Sequence, residues 1–173
     1  MIMTAPRTGK TRETLMIVED EALIAMVLRD MLEDAGYHVL DLTDRRAEAL
    51  EVAKAHKPDL ALVNIRLAGR DDGIELAKQL KAQGVPVLLI SGQTSRARSA
   101  QTVAIASLPK PYDAADMVLA VAYLLARMQG DSSLAAPPGL EVFDDSDLAP
   151  AAQGAAQPGT AASVHDVAAA GAG

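Results

Sequence analysis

Short apolar runs alternate with helical patterns along most of the chain. The runs predict five β-strands, at residues 14–18, 37–42, 60–63, 86–90 and 105–108. The segments between them predict five helices, over residues 22–35, 44–56, 74–83, 95–104 and 114–128. The strands are apolar throughout, which is typical of a parallel sheet covered on both faces. We therefore predict an α/β fold with a doubly wound parallel sheet, whose ligand site lies at the carboxyl ends of the strands.

The first predicted helix carries its large apolar residues at the spacing of one helix face. These residues are Leu23, Met26, Val27, Met31 and Leu32. We expect this face to pack against the sheet. Gly36 should end this helix, and Gly130 should end the last one.

Both ends of the chain differ from this region. Residues 1–12 are polar and weakly basic and predict a flexible arm, so that the folded domain spans residues 13–129. Residues 130–173 are rich in Ala, Gly, Pro, Ser and Asp, with few large apolar groups. Such a stretch cannot offset its ordering entropy by burial, so a disordered acidic tail is predicted. Val142 and Phe143, which stand among acids, could instead form a short docking motif.

The composition narrows the class of protein. The chain contains no cysteine, which excludes disulfides and thiolate metal sites. Six of the 23 acidic residues and none of the 16 basic residues lie in residues 130–173. The folded domain is thus nearly neutral and has no basic face, so we expect no nucleic-acid partner. No apolar run approaches the roughly 20 residues that cross a bilayer, and the N-terminus lacks a signal-peptide pattern. We expect a cytoplasmic protein that does not contact membranes.

Polar side chains follow four of the predicted strands. They are Glu19, Asp20 and Glu21 after the first strand, Asn64 at the end of the third, Ser91 after the fourth, and Lys110 with Pro111 after the fifth. A parallel sheet brings all of them to one edge. Each also has a purely structural explanation. Asp20 could cap the first helix, with Glu21 favouring its dipole. Ser91 could be a turn residue, and Lys110 a surface lysine.

Four motifs in this order resemble the bacterial response-regulator receiver domain, of the chemotaxis-receiver type. They are LMIVEDE, PDLALVNIRLAGRDDGIELA, VPVLLISG and KPY, and the resemblance covers residues 13–128. It implies a flavodoxin-like sheet of five strands in the order 2-1-3-4-5, with five helices. It also implies a non-enzymatic module of two-component signalling that binds Mg²⁺.

The resemblance further implies a role for each polar residue. Asp20 would be the principal metal ligand and Glu19 its outer partner, with Asn64 and the backbone carbonyl of Arg66 completing the protein ligands. Ser91 and Lys110 would contact phosphoryl oxygens. Lys110-Pro111 would be a cis peptide, which X–Pro bonds tolerate.

The sequence departs from the family pattern at three points. Asn64 stands where the family has its phosphoacceptor aspartate, and an amide cannot form an aspartyl phosphate. It is also a weaker Mg²⁺ ligand than a carboxylate. Asp71 and Asp72 are near in sequence but are not expected to replace it. Ser107 occupies the usually aromatic switch position, and the segment 91–110 is shorter than usual by about one helical turn.

These features predict a receiver that acts in a phosphorelay through protein–protein contacts, without a fused output domain. The expected partners are a histidine kinase, a phosphotransferase or another signalling protein, and the chain is expected to be a monomer or weak homodimer. Partner binding is expected on the last helix, near Asp116, Tyr123 and Arg127. The alternative is a phosphorylation-independent pseudo-receiver that binds or sequesters a signalling partner. An enzyme on the same fold is disfavoured, because no nucleophile–base pair is evident.

Overall fold

The computed structural model describes residues 12–143 of the chain. Its strands are β1 (Thr14–Val18), β2 (His38–Val39), β3 (Leu60–Asn64), β4 (Val87–Ser91), β5 (Ala106–Pro109) and β6 (Glu141–Val142). Its helices are α1 (Ala22–Asp34), α2 (Arg46–His56), α3 (Gly73–Ala82), α4 (Thr94–Ser99) and α5 (Ala114–Met128). No helix within this part of the chain has the length and apolarity needed to span a membrane.

The strands form one sheet in the order β2-β1-β3-β4-β5-β6. Strands β1 to β5 are parallel, so the predicted flavodoxin-like order 2-1-3-4-5 is confirmed. Every residue of β3 and β4 is buried, as continuously apolar strands require. One core cluster joins the sheet to α1 and α5, and the other joins it to α2, α3 and α4.

The buried face of α1 differs from the prediction. Leu23, Met26 and Val27 are exposed, Leu23 by as much as 78%. The core receives Leu32, as predicted, together with Ala25 and Leu28, which the prediction did not include. Residues 22–28 are all apolar. Their pattern therefore does not select one face, and the prediction favoured the larger side chains over a small alanine that fits closely against the sheet.

Two predicted elements are shorter in the structure. The second strand keeps only His38–Val39, although Thr43 forms one further bridge with Val18. Helix α4 ends at Ser99, and turns occupy most of the residues that the prediction added to it. The second strand lies at one end of the sheet and, among the described strands, has a neighbour on one side only. After Ser99 the chain turns, and it still buries Ala100 and Ala104 in the core.

A sixth strand corrects the predicted tail. The disordered tail was predicted from residue 130, but residues 131–143, called here the edge segment, have a defined conformation. Val142 lies opposite Ala106 and Glu141 opposite Ser107 in an antiparallel pairing of β6 with β5. The prediction averaged composition over the whole tail and considered Val142 and Phe143 only as a docking motif, whereas in the structure they lie in and beside a strand. Residues 1–11 and 144–173 lie outside the described part of the chain.

Truncation after Gly130 is expected to destabilise the domain. The edge segment contributes Leu140 and Val142 to one core cluster and Phe143 to the other, all half-buried. Losing this burial and uncovering β5 should cost about 2 kcal/mol, or lower Tm by roughly 5–10 °C. Thermal melts should be compared with a control truncated after Phe143, which keeps every described contact. If the two truncated chains melt together, the edge segment adds no stability.

Candidate functional site

The carboxyl ends of the parallel strands form a cleft of about 440 Å³. Asp20 follows β1, Asn64 ends β3, Ser91 ends β4 and Lys110 follows β5, and all four line this cleft. The sheet therefore brings these four predicted residues together in one cleft. Arg66 lines the same cleft, and the Lys110-Pro111 peptide is cis.

Asn64 is the centre of the acidic side of the cleft. Its Nδ2 donates to Oε1 of Glu19 at 2.9 Å and to Oδ1 of Asp20 at 3.0 Å. Both amide hydrogens are thus used, and Asn64 and Glu19 are almost fully buried. A neutral group that offers two donors satisfies two neighbouring carboxylates without adding charge.

Glu19 is held in an unfavourable environment for a charge. Burial raises its pKa above the ordinary value, and the adjacent Asp20 acts in the same direction. The backbone N–H of Glu21, Lys110 and Asn64 oppose that rise. Lys110 Nζ lies 3.6 Å from Oε2 of Glu19, and this buried oxygen has no hydrogen-bond partner. The oxygen is therefore available to a further cation or donor.

The structural alternatives raised for Asp20 and Ser91 have different outcomes. Asp20 does not cap α1, since Glu21 holds the N-cap position and no side chain caps that end. The Ser91 hydroxyl does close a turn, because it accepts from the backbone N–H of Gln93 at 2.8 Å and contacts the Gln93 carbonyl at 2.9 Å. Ser91 thus lines the cleft while its hydroxyl is engaged locally.

Ser107 lies away from the cleft floor. It is buried on β5, three positions before Lys110, and pairs with Glu141 of the edge segment. A small hydroxyl residue cannot fill the volume of an aromatic side chain at this position.

The loop between β3 and α3 supplies contacts that the sequence analysis missed. Asp72 caps α3 by accepting from the N–H of Ile74 at 2.8 Å, and it forms an ion pair with Arg96 of α4. Asp71 accepts from the backbone N–H of Arg46 at the start of α2. Neither carboxylate lines the cleft. The N-cap position of Asp72 before Gly73 was the available signal for its role.

Gly73 lies against the floor of the site. Its N–H donates to the carbonyl of Ile65 at 2.8 Å. A Cβ at this position would overlap the carbonyl oxygen of Asn64 and come within 2.8 Å of Cα of Ile65. The absence of a side chain therefore allows α3 to begin directly behind the residue at the centre of the site.

The donor set fits a divalent cation only weakly. Mg²⁺ prefers hard oxygen ligands, and the unpartnered Oε2 of Glu19 and the carboxylate of Asp20 are such ligands. In residues 12–143, however, no three acidic or histidine side chains form a metal-binding group. The amide nitrogen of Asn64, which is not a metal ligand, points at both carboxylates.

A second, apolar groove of about 580 Å³ adjoins the cleft. Leu23, Val27 and Tyr112 are among its lining residues, and Lys110 lines both cavities. Burial, together with the charges of Glu19 and Glu21, raises the pKa of Tyr112 to about 12. Tyr112 therefore stays neutral at physiological pH.

The sequence matches the response regulator receiver domain family over residues 15–122. The transcriptional regulatory protein PdtaR of Mycobacterium tuberculosis is 31% identical, over 76% of this chain and 67% of PdtaR. The receiver domain of NtrX from Brucella abortus is 30% identical with a TM-score of 0.58, over 64% of this chain and 96% of that domain. The Vibrio cholerae chemotaxis protein CheY4 shares the fold, with a TM-score of 0.60 and 22% identity, over 65% of this chain and 98% of CheY4.

Proposed function

Because this chain belongs to the response regulator receiver domain family, we propose that it signals in a two-component system without forming an aspartyl phosphate at position 64. Receiver domains are signalling modules that interact with histidine kinases and other signalling proteins. The observation that supports this proposal is Asn64, whose amide occupies the centre of the acidic cleft and bonds to both Glu19 and Asp20.

The chemistry of the amide supports the same proposal. A phosphoryl group is accepted by an anionic oxygen that can approach phosphorus in line. The amide of Asn64 is neutral, and both of its N–H groups are committed to neighbouring carboxylates. The two carboxylates therefore have their hydrogen-bond donors within the cleft, and residue 64 offers no nucleophile. We infer that partners recognise one fixed state of this domain, in the cytoplasm.

Mg²⁺, which receiver domains typically bind in their acidic pocket, would be held only weakly here. Glu19, Asp20, the amide oxygen of Asn64 and the backbone carbonyl of Arg66 are the groups that would hold it. When bound, the ion would neutralise negative charge on phosphoryl oxygens. The amide would first have to turn away from both carboxylates, which gives up two hydrogen bonds.

A second candidate is a receiver that still takes part in phosphoryl transfer. The presence of Ser91 and Lys110 in the cleft favours it, because a hydroxyl and an ammonium group could contact phosphoryl oxygens. This candidate needs another acceptor. The first acids after Asn64 in the sequence, Asp71 and Asp72, accept structural hydrogen bonds from backbone N–H groups instead.

A phosphodonor experiment separates the two candidates. The full chain and its Asn64→Asp variant are incubated with Mg²⁺ and a small phosphodonor, and the intact proteins are weighed. The Asn64 protein should gain no mass, and the Asn64→Asp variant should gain one acid-stable, base-labile phosphoryl group. Labelling of the Asn64 form would establish a different acceptor and overturn the proposal. A folded variant that stays unlabelled would show that the site has lost more than its nucleophile.

The groove beside α1 is the surface that we propose for a kinase or phosphotransferase partner. Leu23 and Val27 are exposed there. A contiguous patch of exposed apolar side chains usually marks an interaction site. Lys110 connects the groove with the cleft, so a partner bound in the groove would also reach the polar site. This location differs from the α5 surface that the sequence predicts, and the two surfaces are alternatives.

Charge introduced on α1 should abolish partner binding. The variant Leu23→Glu is expected to weaken binding of a co-purifying kinase or phosphotransferase at least tenfold, with little effect on stability because the side chain is already exposed. Leu119→Glu is the matched control, since Leu119 is an exposed leucine on α5. Biolayer interferometry should show weaker partner binding by the Leu23→Glu variant than by the Leu119→Glu variant. Loss of binding in the Leu119 variant alone would move the interface to α5.

A further inference from the structure

We propose that the outer edge of β5 is a docking surface for a second copy of this chain, which occupies it by exchanging residues 140–143. This inference concerns a surface away from the polar cleft and does not depend on the proposed function. In the single chain, the segment that occupies the edge is the chain's own β6.

The attachment of β6 to β5 is short. The strand has two residues, and the next backbone N–H, that of Phe143, donates to the carbonyl of Ile105 at 2.9 Å. A Cβ added at Gly139, just before the strand, would lie 3.8 Å from Cγ of Pro109, which is ordinary van der Waals contact. The pairing therefore extends along β5 only and is not reinforced by any strand on its outer side in the described part of the chain.

The side chains of the edge segment define the chemistry of the occupant. Leu140 and Val142 pack on the α1–α5 side of the sheet, and Phe143 packs on the opposite side. Glu141 lies 3.3 Å from the guanidinium of Arg98 on α4. The edge thus accepts an extended segment with an apolar residue, an acid, a second apolar residue and an aromatic residue in sequence. A second copy of this chain carries this segment by necessity.

Strand β5 is more deeply buried than the segment that covers it. Residues 106–108 of β5 are buried, whereas residues 140–143 are only half-buried. The ion pair between Arg98 and Glu141 is largely exposed and adds little. An uncovered edge strand with unpaired N–H and C=O groups is a template for another chain. Release of β6 would therefore leave an edge that recruits the same segment from a neighbour.

The connector permits this exchange. Residues 129–140, between α5 and β6, contain no helix or strand. When extended they span roughly 40 Å, which is enough to reach the same edge of an adjacent copy. Exchange keeps every contact of the edge segment and changes only which chain supplies it.

An introduced disulfide between β5 and β6 shows whether β6 comes from the same chain or from a second copy. Ala106 and Val142 lie opposite each other and both join the α1–α5 cluster, so the variant Ala106→Cys/Val142→Cys places two thiols in one cross-strand pair. The chain has no other cysteine. Equal amounts of isotopically light and heavy protein are mixed, incubated at high concentration under reducing conditions, oxidised, and separated without reductant.

Exchange predicts covalent dimers whose 106–142 crosslinks join a light to a heavy chain, with a fraction that increases with protein concentration. Oxidation in dilute solution should give the internal crosslink and a monomer. Val142→Cys alone is the control for random collision, because any disulfide dimer it forms joins two 142 thiols without strand exchange, and this dimer should stay a minor product. Only internal crosslinks at every concentration would overturn the proposal. If the first pair disturbs the core, Ser107→Cys/Glu141→Cys provides the neighbouring register pair and is judged by the same outcomes.

Discussion

The substitution Asn64→Asp should lower the free energy of unfolding at neutral pH by roughly 3 kcal/mol when no divalent cation is present. The change removes the two N–H donors that satisfy Glu19 and Asp20. It also places a third carboxylate within hydrogen-bonding distance of two others, one of them buried. Mg²⁺ should restore much of the loss, because it binds the folded three-acid cluster.

Urea denaturation with and without Mg²⁺ measures this effect. Asn64→Leu is the matched control, since it removes the donors without adding charge and should lose stability that Mg²⁺ does not restore. The interpretation is wrong if the Asp variant is as stable as the Asn64 protein, or if Mg²⁺ does not change the stability of the variant. Either result would show that the hydrogen bonds from the amide to the two carboxylates do not stabilise the fold.

The loss should also depend on pH in a defined direction. Burial already raises the pKa of Glu19 in the folded chain, so the folded state holds the proton more tightly than the unfolded state. The associated stability is complete below the ordinary pKa of a glutamate and is lost as pH rises through the raised value. In the Asp variant a further carboxylate raises the pKa values of the cluster again. The difference in stability between the two proteins should therefore shrink as pH falls into that range.

The substitution Gly73→Ala should be at least as damaging, with a loss of about 3 kcal/mol or more. The added methyl group would overlap the backbone behind Asn64, and backbone atoms cannot rotate away as a flexible side chain can. Helix α3 would have to move back from β3, which would also displace Asn64 from Glu19 and Asp20.

Gly92→Ala is the control for this prediction, because Gly92 lines the same cleft but has open space where its Cβ would lie. Its stability should stay within about 0.5 kcal/mol of the parent chain. Urea denaturation of both variants gives the comparison. Equal stability of the two would mean that the start of α3 adjusts freely.

Most of the sheet and the position of the site could be predicted from the sequence. Continuous apolar runs such as residues 60–63 are typical of a parallel sheet covered on both faces, and parallel strands place their following polar residues at one edge. This geometry alone brings Asp20, Asn64, Ser91 and Lys110 into one cleft.

Other features depend on contacts that a local pattern does not contain. The core face of α1 contains the small Ala25, which is buried, whereas the larger Leu23 is exposed. The order in the edge segment comes from its pairing with β5, many residues earlier in the chain, where Glu141 lies opposite Ser107 and Val142 opposite Ala106. The ion pair of Asp72 with Arg96 joins the N-terminus of α3 to α4, through residues that are 24 positions apart in the sequence. In each case a long-range partner outweighs local composition.

The hydrogen bonds of Asn64 also bear on how long a signal from this domain persists. A phosphorylated receiver carries a bond that hydrolyses, so its message has a lifetime set by that reaction. The bonds from the amide to Glu19 and Asp20 form whenever the chain folds and end only when it unfolds. Under the proposed function, the output would therefore follow the amount of this protein in the cell, and synthesis and proteolysis would take the place of kinase and phosphatase.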